Sequence, residues 1–193
     1  IIRLIDESPI IVDHLHIPIQ SGCDKILKRM NRTYTTSEFE EKLNALKKGL
    51  PSLSVTTDVI VGFPGETEED FMTTYNWIKK NHFNQLHVFP YSPRKNTPAE
   101  KFKEQVPGDV KKDRVRRLMA LSDELRTEFA SWQMGKDLEV LFEEEKDGYM
   151  QGHASNYLLV KVKDPAIHEG DIHTVKITDR IGYDLVGELH EKG

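Results

Sequence analysis

Cys23 is the only cysteine in 193 residues. No internal disulfide can form, and the chain's own thiolates cannot assemble a four-cysteine metal site. A reducing, cytoplasmic setting is the default for such usage. No apolar run is long enough to cross a bilayer and no signal-peptide pattern opens the chain, so no membrane partner is expected. The sequence holds no GxSxG elbow, P-loop, HExxH or CxxC, which removes the usual serine-hydrolase, nucleotide-phosphate, zincin and thioredoxin readings. Repeats of 20–50 residues and low-complexity tracts are missing too. The first residues, IIRLIDESPIIVDHLHIP, have no initiator Met and no capped first element, and they read as the interior of a domain, as in a truncated chain.

What is present suits a folded protein with a real core: 37% hydrophobic, 31% charged and a net charge of −5. The charge is uneven. Residues 1–132 carry 20 Lys and Arg against 19 Asp and Glu, whereas residues 133–193 carry 7 against 13. The acidic tail argues against a simple electrostatic clamp for nucleic acid.

Residues 10–20 alternate apolar with His and Asp and end in Gln20-Ser21-Gly22, which reads as a strand and a turn. Ile26, Leu27 and Met30 then fall at helical spacing. Ser37 and Glu40 form a capping-box pattern, and Phe39, Leu43, Leu46 and Leu50 mark one face of the helix that follows. Residues 54–62 are a second strand. Thr67 and Asp70 open another helix, with Phe71, Thr74, Tyr75 and Ile78 inward, and 85–91 are a third strand. This βα alternation predicts a parallel sheet with its strand C-termini on one edge, where ligands bind in such folds. A long helix is expected over about 109–133, burying Val115, Leu118, Ser122, Leu125, Phe129 and Trp132, with Lys111, Lys112, Arg114, Arg116, Arg117 and Arg126 on the opposite face. From Lys136 the texture changes to short β-like runs at 138–142, 157–162, 175–177 and 185–189, separated by Gly148, Gly152, Gly170 and Gly182. Such runs predict a small antiparallel barrel. The predicted domains are 1–134 and 135–193.

Two segments carry the chemistry. In TTDVIVGFPGE the period of two puts Asp58, Ile60 and Gly62 on one face and Val59 and Val61 on the other. An Asp in an apolar strand needs a partner, which can be a ligand or a hydrogen bond within the core. Gly62 and Gly65 suit either a close approach of backbone to a ligand or a tight turn. In HVFPYSPRKNTPA, Phe89 and Tyr91 form an aromatic wall that would hold a flat ring or simply pack in a core. Arg94 and Lys95 beyond them suit phosphate or a solvated surface. Arg32 could grip a carboxylate or end a helix in solvent. His14 and His16 share a strand face, but no third metal ligand follows at useful spacing, so a structural or substrate-facing role is preferred.

The strings HIPIQSGCDKILKRMNRTYT, TTDVIVGFPGETEEDF and HVFPYSPRKNTPA resemble the second half of the methylthiotransferase family of radical S-adenosylmethionine (SAM) enzymes. GHASNYLLVKV and the closing LVGEL resemble the TRAM domain that ends those proteins. The resemblance implies an α/β fold: a partial parallel (β/α) barrel of the TIM type followed by a small, OB-like RNA-binding β-barrel. It implies a reaction in which a 4Fe-4S cluster on a CxxxCxxC loop cleaves SAM and the deoxyadenosyl radical abstracts hydrogen, while a second 4Fe-4S cluster handles the sulfur. Those cysteines are not in this chain, which resembles the C-terminal portion and is expected to be inactive by itself. Cys23 is not a cluster ligand in this reading. Gln20, Ser21, Asp58 and Ile60 would border SAM, Phe89 and Tyr91 would flank its adenine, and Arg32 would meet its carboxylate or the substrate. Arg94, Lys95, Lys161 and Lys163 would face RNA.

The string FPYSPRK resembles the branch acting on N6-threonylcarbamoyladenosine beside the tRNA anticodon. The isopentenyladenosine branch is the nearest alternative, and a branch acting on a ribosomal-protein aspartate is a third. Asn96 stands where Gly is usual and is expected to take a left-handed conformation. Implied partners are the tRNA anticodon stem-loop and a flavodoxin-like reductant, with the protein itself a monomer. A non-catalytic RNA- or protein-binding module is the competing class. A flavodoxin-like domain leaves the β-rich tail unexplained.

Overall fold

The computed structural model describes residues 1–8 and 10–189. They divide into two compact units, one of Ile1–His14, Ser52–Ser54 and Arg126–Gly193, the other of Leu15–Pro51 and Val55–Leu125. No helix among the described residues is long and apolar enough to cross a membrane.

The second unit is built on a three-stranded sheet of order β1-β2-β3, where β1 is His14–His16, β2 Ser54–Val61 and β3 Gln85–Pro90. β2 and β3 run parallel with Asp58 opposite His87 and Ile60 opposite Phe89, and Gln20 bridges Val59 in the parallel sense. The strand read over 10–20 is therefore short, with only 14–16 and the Gln20 bridge paired.

The helices are α1 (Ile2–Glu7), α2 (Asp24–Arg29), α3 (Thr36–Gly49), α4 (Glu68–Asn81) and α5 (Gly108–Ser131). α4 starts as predicted, with Thr67 and Asp70 reciprocally capping. α3 starts two residues earlier than predicted: Thr35 and Glu38 make the capping box, not Ser37 and Glu40. The sequence holds both S/T-x-x-E patterns, and the one that forms is the one at which the chain turns into the helix, where free N–H groups need acceptors. Leu43, Leu46, Leu50, Phe71, Thr74 and Ile78 are buried as expected, and so are Leu118, Ser122, Leu125 and Phe129 of α5; Leu121, outside the predicted stripe, is buried too. Two expectations for α5 fail. Trp132 is 48% exposed, whereas Arg114, read as a solvent-facing cation, is 3% exposed. The burial of Arg114 has a partner behind it, described below.

In the first unit, β4 (Asp137–Lys146), β5 (Tyr149–Ala154), β6 (Leu159–Val162), β7 (Ile172–Ile181) and β8 (Asp184–Leu189) close into a barrel of order β4-β5-β6-β8-β7. Alternate residues fill it, among them Val140 and Phe142, Val160 and Val162, and Val175 and Ile177. Each such burial is worth roughly 1.5–3 kcal/mol. The barrel is not wholly antiparallel, because β6 and β8 pair in parallel. Asp147 and Gly148, both at positive φ, make the two-residue hairpin from β4 to β5. Gly152, read as a separator, lies inside β5, a strand the sequence did not reveal. Tyr157, read as the start of a strand, sits in a turn at φ 62.

Candidate functional site at the strand ends

The period of two along β2 holds in three dimensions. Val59 and Val61 are 0% and 1% exposed, whereas Asp58 and Ile60 are half-buried on the opposite face. The register then puts His87 beside Asp58 and Phe89 beside Ile60. Phe89 is 51% exposed, unusual for so large an apolar ring on a strand.

Asp58 does have the partner its position calls for. Its Oδ1 lies 3.3 Å from His16 Nε2, and His16 Nδ1 is 3.0 Å from Thr56 Oγ1. The His16 ring meets His87 edge-on at 5.4 Å. Thus Thr56, His16, Asp58 and His87 form one polar cluster that runs into the apolar pair Ile60 and Phe89. The sequence offered His16 as substrate-facing, but nothing in it pointed to His87, since strand parity is visible in a sequence and cross-strand register is not. No group of three or more His, Cys, Asp or Glu among the described residues is placed to hold a metal ion.

Gln20 reaches the same sheet edge. At φ 71 it is left-handed, donating its N–H to Asp58 O while its own carbonyl accepts from Ile60 N–H, both at 2.9 Å. Such a conformation in a non-glycine residue is held by its surroundings. Ser21 is not brought to the open face. It is fully buried, 3.2 Å from Thr74 Oγ1, and its hydroxyl accepts the Cys23 N–H. Tyr91 packs on Phe63 at 5.1 Å within the cluster of Cys23, Ile26 and Phe63, and its hydroxyl is buried with no hydrogen-bond partner. Arg32 is exposed in the loop after α2, and Arg94 and Lys95 are exposed beyond β3. Asn96 takes φ 68, the left-handed turn expected of it. In the barrel, Lys161 Nζ is tied to Asp184 at 2.7 Å and Lys163 lies over the Tyr149 ring at 4.6 Å.

In the loop after β2 the structure decides between the two sequence readings of the glycines, in favour of a tight turn. Gly62 and Gly65, at φ 70 and 84, do not open space for a ligand. A Cβ on Gly62 would lie 2.7 Å from Lys111 Cδ, and one on Gly65 2.8 Å from Arg29 Cζ. The glycines are filled by the protein's own side chains. Glu66 closes the loop: its Oε1 accepts the Gly62 N–H at 2.8 Å and Arg114 NH1 at 2.7 Å. Burial pushes the Glu66 carboxyl from 4.5 up to about 6, even with the Gly62 N–H and Arg114 beside it.

The groups at this edge fit SAM in kind. An exposed aromatic ring and a half-exposed Ile suit adenine, while a carboxylate and an amide suit its polar parts; Tyr91, read as flanking the adenine, instead packs inward with its hydroxyl buried. They do not fit an iron–sulfur cluster. Cys23 is buried, its thiol is pushed up by that burial, and its Sγ lies 3.7 Å from Asp70 Oδ1.

Residues 1–78 match the radical SAM superfamily. Over 188 residues, 95% of this chain and 42% of the relative, the chain is 51% identical to threonylcarbamoyladenosine tRNA methylthiotransferase MtaB of Bacillus subtilis. It is 41% identical to the tRNA-2-methylthio-N(6)-dimethylallyladenosine synthase of Aquifex aeolicus over 192 residues, 99% of this chain and 43% of that protein. The chain therefore spans less than half the length of these relatives. The fold is similar to that of coproporphyrinogen III oxidase (HemN) from Escherichia coli, described as a radical SAM enzyme, with a TM-score of 0.51 at 15% identity over 86% of this chain and 41% of that one. With its parallel sheet and closed five-stranded barrel, the chain is a relative of the radical SAM tRNA methylthiotransferases.

Proposed function

We propose that these residues are part of an enzyme that adds a methylthio group to N6-threonylcarbamoyladenosine next to the anticodon of tRNA. The observation that carries the choice of substrate is the 51% identity to the threonylcarbamoyladenosine enzyme, against 41% to the dimethylallyladenosine synthase. The dimethylallyladenosine (isopentenyladenosine) substrate is the second reading, supported by that same 41% match along 99% of the chain.

In this reading the open edge of the sheet holds SAM. Phe89 and Ile60 lie against the adenine, Asp58 and Gln20 meet polar groups, and Asp58 keeps its direction through His16 and Thr56. When bound with a reduced 4Fe-4S cluster, SAM supplies the radical that removes an unactivated hydrogen. With one cysteine in the chain, both clusters need cysteines other than those of residues 1–193, and these residues alone are expected to be inactive. Arg94 and Lys95 meet tRNA phosphates. The small barrel serves as a TRAM-type RNA-binding module, with Lys163 and Tyr149 on its surface. A flavodoxin-like reductant, a cytoplasmic setting and a monomeric enzyme complete the proposal.

Mass spectrometry of tRNA nucleosides from a strain lacking the complete gene tests the substrate. Loss of the 2-methylthio derivative of N6-threonylcarbamoyladenosine alone is expected. Loss of the dimethylallyl derivative instead would transfer the assignment to the second reading, and unchanged nucleosides would end both. Asp58→Ala in the complete enzyme should abolish methylthiolation, so wild-type turnover by that variant would remove Asp58 from the site.

A further inference from the structure

A loop that frames a ligand site can keep its shape in two ways: through the ligand, or through struts supplied by the protein. The loop from Gly62 to Glu66 is held by the protein at most of its backbone polar groups. Gly62 N–H donates to Glu66 Oε1 at 2.8 Å. Pro64 O accepts from Arg29 Nε at 2.9 Å. Gly65 N–H donates to Glu104 O at 2.7 Å, and Glu66 N–H to Phe63 O at 2.9 Å. Glu66 O accepts from Arg114 NH1 at 3.2 Å.

One of these struts, Arg114, comes from α5, and a second support, Lys111, comes from the same turn of that helix. Lys111 lays its aliphatic stem in the space of the absent Gly62 side chain. Its ammonium then donates to Tyr91 O, at the end of β3, at 3.0 Å. Arg114, three residues on and on the same helical face, is buried against Glu66. One helix turn thus grips the end of β2 through Glu66 and Gly62, and the end of β3 through Tyr91. Arg114 is buried among Glu66, Glu68 and Phe71. The arrangement sets the spacing between two strand ends.

We infer that Lys111 and Arg114 are positioning residues that fix the ends of β2 and β3 in the geometry of the SAM site. The inference rests on the SAM reading given above. Rigid support of this kind matters because a displacement of an ångström in a binding group is costly even when the group itself is unchanged.

The test uses the complete, cluster-loaded enzyme and reads S-adenosylhomocysteine binding by equilibrium dialysis, hydrogen exchange over 62–66, and thermal unfolding. Lys111→Ala should weaken S-adenosylhomocysteine binding about tenfold, equal to about 1.4 kcal/mol, and speed exchange at 62–66. The unfolding temperature and tRNA affinity should stay close to wild type. Lys111→Met keeps the stem over Gly62 and should recover part of the affinity, a graded rescue that a general loss of stability would not give. Arg114→Lys keeps a cation beside Glu66, avoids an unpaired buried carboxylate, and should show the same signature. Wild-type affinity and exchange in both Lys111→Ala and Arg114→Lys would overturn the inference while leaving the SAM site intact. Failure of the wild-type enzyme to bind S-adenosylhomocysteine would overturn the SAM reading itself, and the inference with it.

Discussion

A Cβ added to Gly152 would strike the Leu141 carbonyl oxygen and lie 2.7 Å from Phe142 Cα. Both are backbone atoms that cannot swing aside, so the clash falls on the β4–β5 pairing itself. Gly152→Ala is expected to destabilise the barrel by about 3 kcal/mol or more, at the upper end of overpacking costs. Accelerated hydrogen exchange across both strands would report it, and wild-type protection would refute it. Glu66 makes a second residue-scale prediction. Burial lifts its folded-state carboxyl from 4.5 to about 6, so the folded protein binds this proton more tightly than the unfolded chain does. The associated stability is complete below about pH 4.5 and is lost as pH rises through about 6. The span corresponds to about 2 kcal/mol at 1.36 kcal/mol per pH unit. Glu66→Gln keeps an acceptor for the Gly62 N–H and should remove this slope in urea unfolding measured from pH 4 to 7. A slope that persists in the variant would assign it to another group.

Among the elements, α5 does two kinds of work that its sequence shows unequally. Its buried stripe of Leu118, Ser122, Leu125 and Phe129 was readable from spacing. Its role at the edge strand β3 was not. Ser122 Oγ accepts the Leu86 N–H at 3.0 Å, and Lys111 reaches Tyr91 O, so the helix satisfies backbone groups of a strand that has one neighbour in the sheet. Ser122→Ala strands a buried amide and is expected to cost about 1–3 kcal/mol in equilibrium unfolding. A change within 0.5 kcal/mol would mean that a water replaces the hydroxyl. The βα order and the parallel sheet were legible because hydrophobic periodicity is local. Arg114 was misread because burial of a cation depends on Glu66, 48 residues away in sequence. β5 was missed because Gly152 mimics a turn when its real reason, the approach of β4, is a tertiary contact. The polar half of the site was partly legible in the same sense. Asp58 and His16 stand out as polar residues in apolar runs, whereas His87 joins them only through register.

For the molecule as a whole the charge distribution sets the terms of the proposed tRNA encounter. The net charge of these residues is −5 and the excess acid lies in residues 133–193, so any contact they make with a polyanion rests on local cations. Cations differ in how free they are to act. Lys161 spends its charge on Asp184 at 2.7 Å, with only 21% of its side chain exposed. Arg94 and Lys95 stand exposed on the loop after β3, close in sequence to Phe89 and Tyr91, where a modified base would have to approach. Replacing both by Ala in the complete enzyme should therefore weaken tRNA binding and flatten its salt dependence. Each lost phosphate contact removes about 0.7–0.9 from the slope of log K against log salt, so about 1.5 is expected for the pair. Lys161→Ala should leave that slope unchanged and instead lower barrel stability, because it leaves Asp184 without its partner. Filter-binding titrations from 50 to 300 mM salt, with tRNA at fixed magnesium, separate the two (about a sixfold range in salt is enough to resolve a change of one contact). An unchanged slope in the Arg94 and Lys95 double variant, or a flattened one in Lys161→Ala, would move the RNA-binding face from the sheet edge to the barrel.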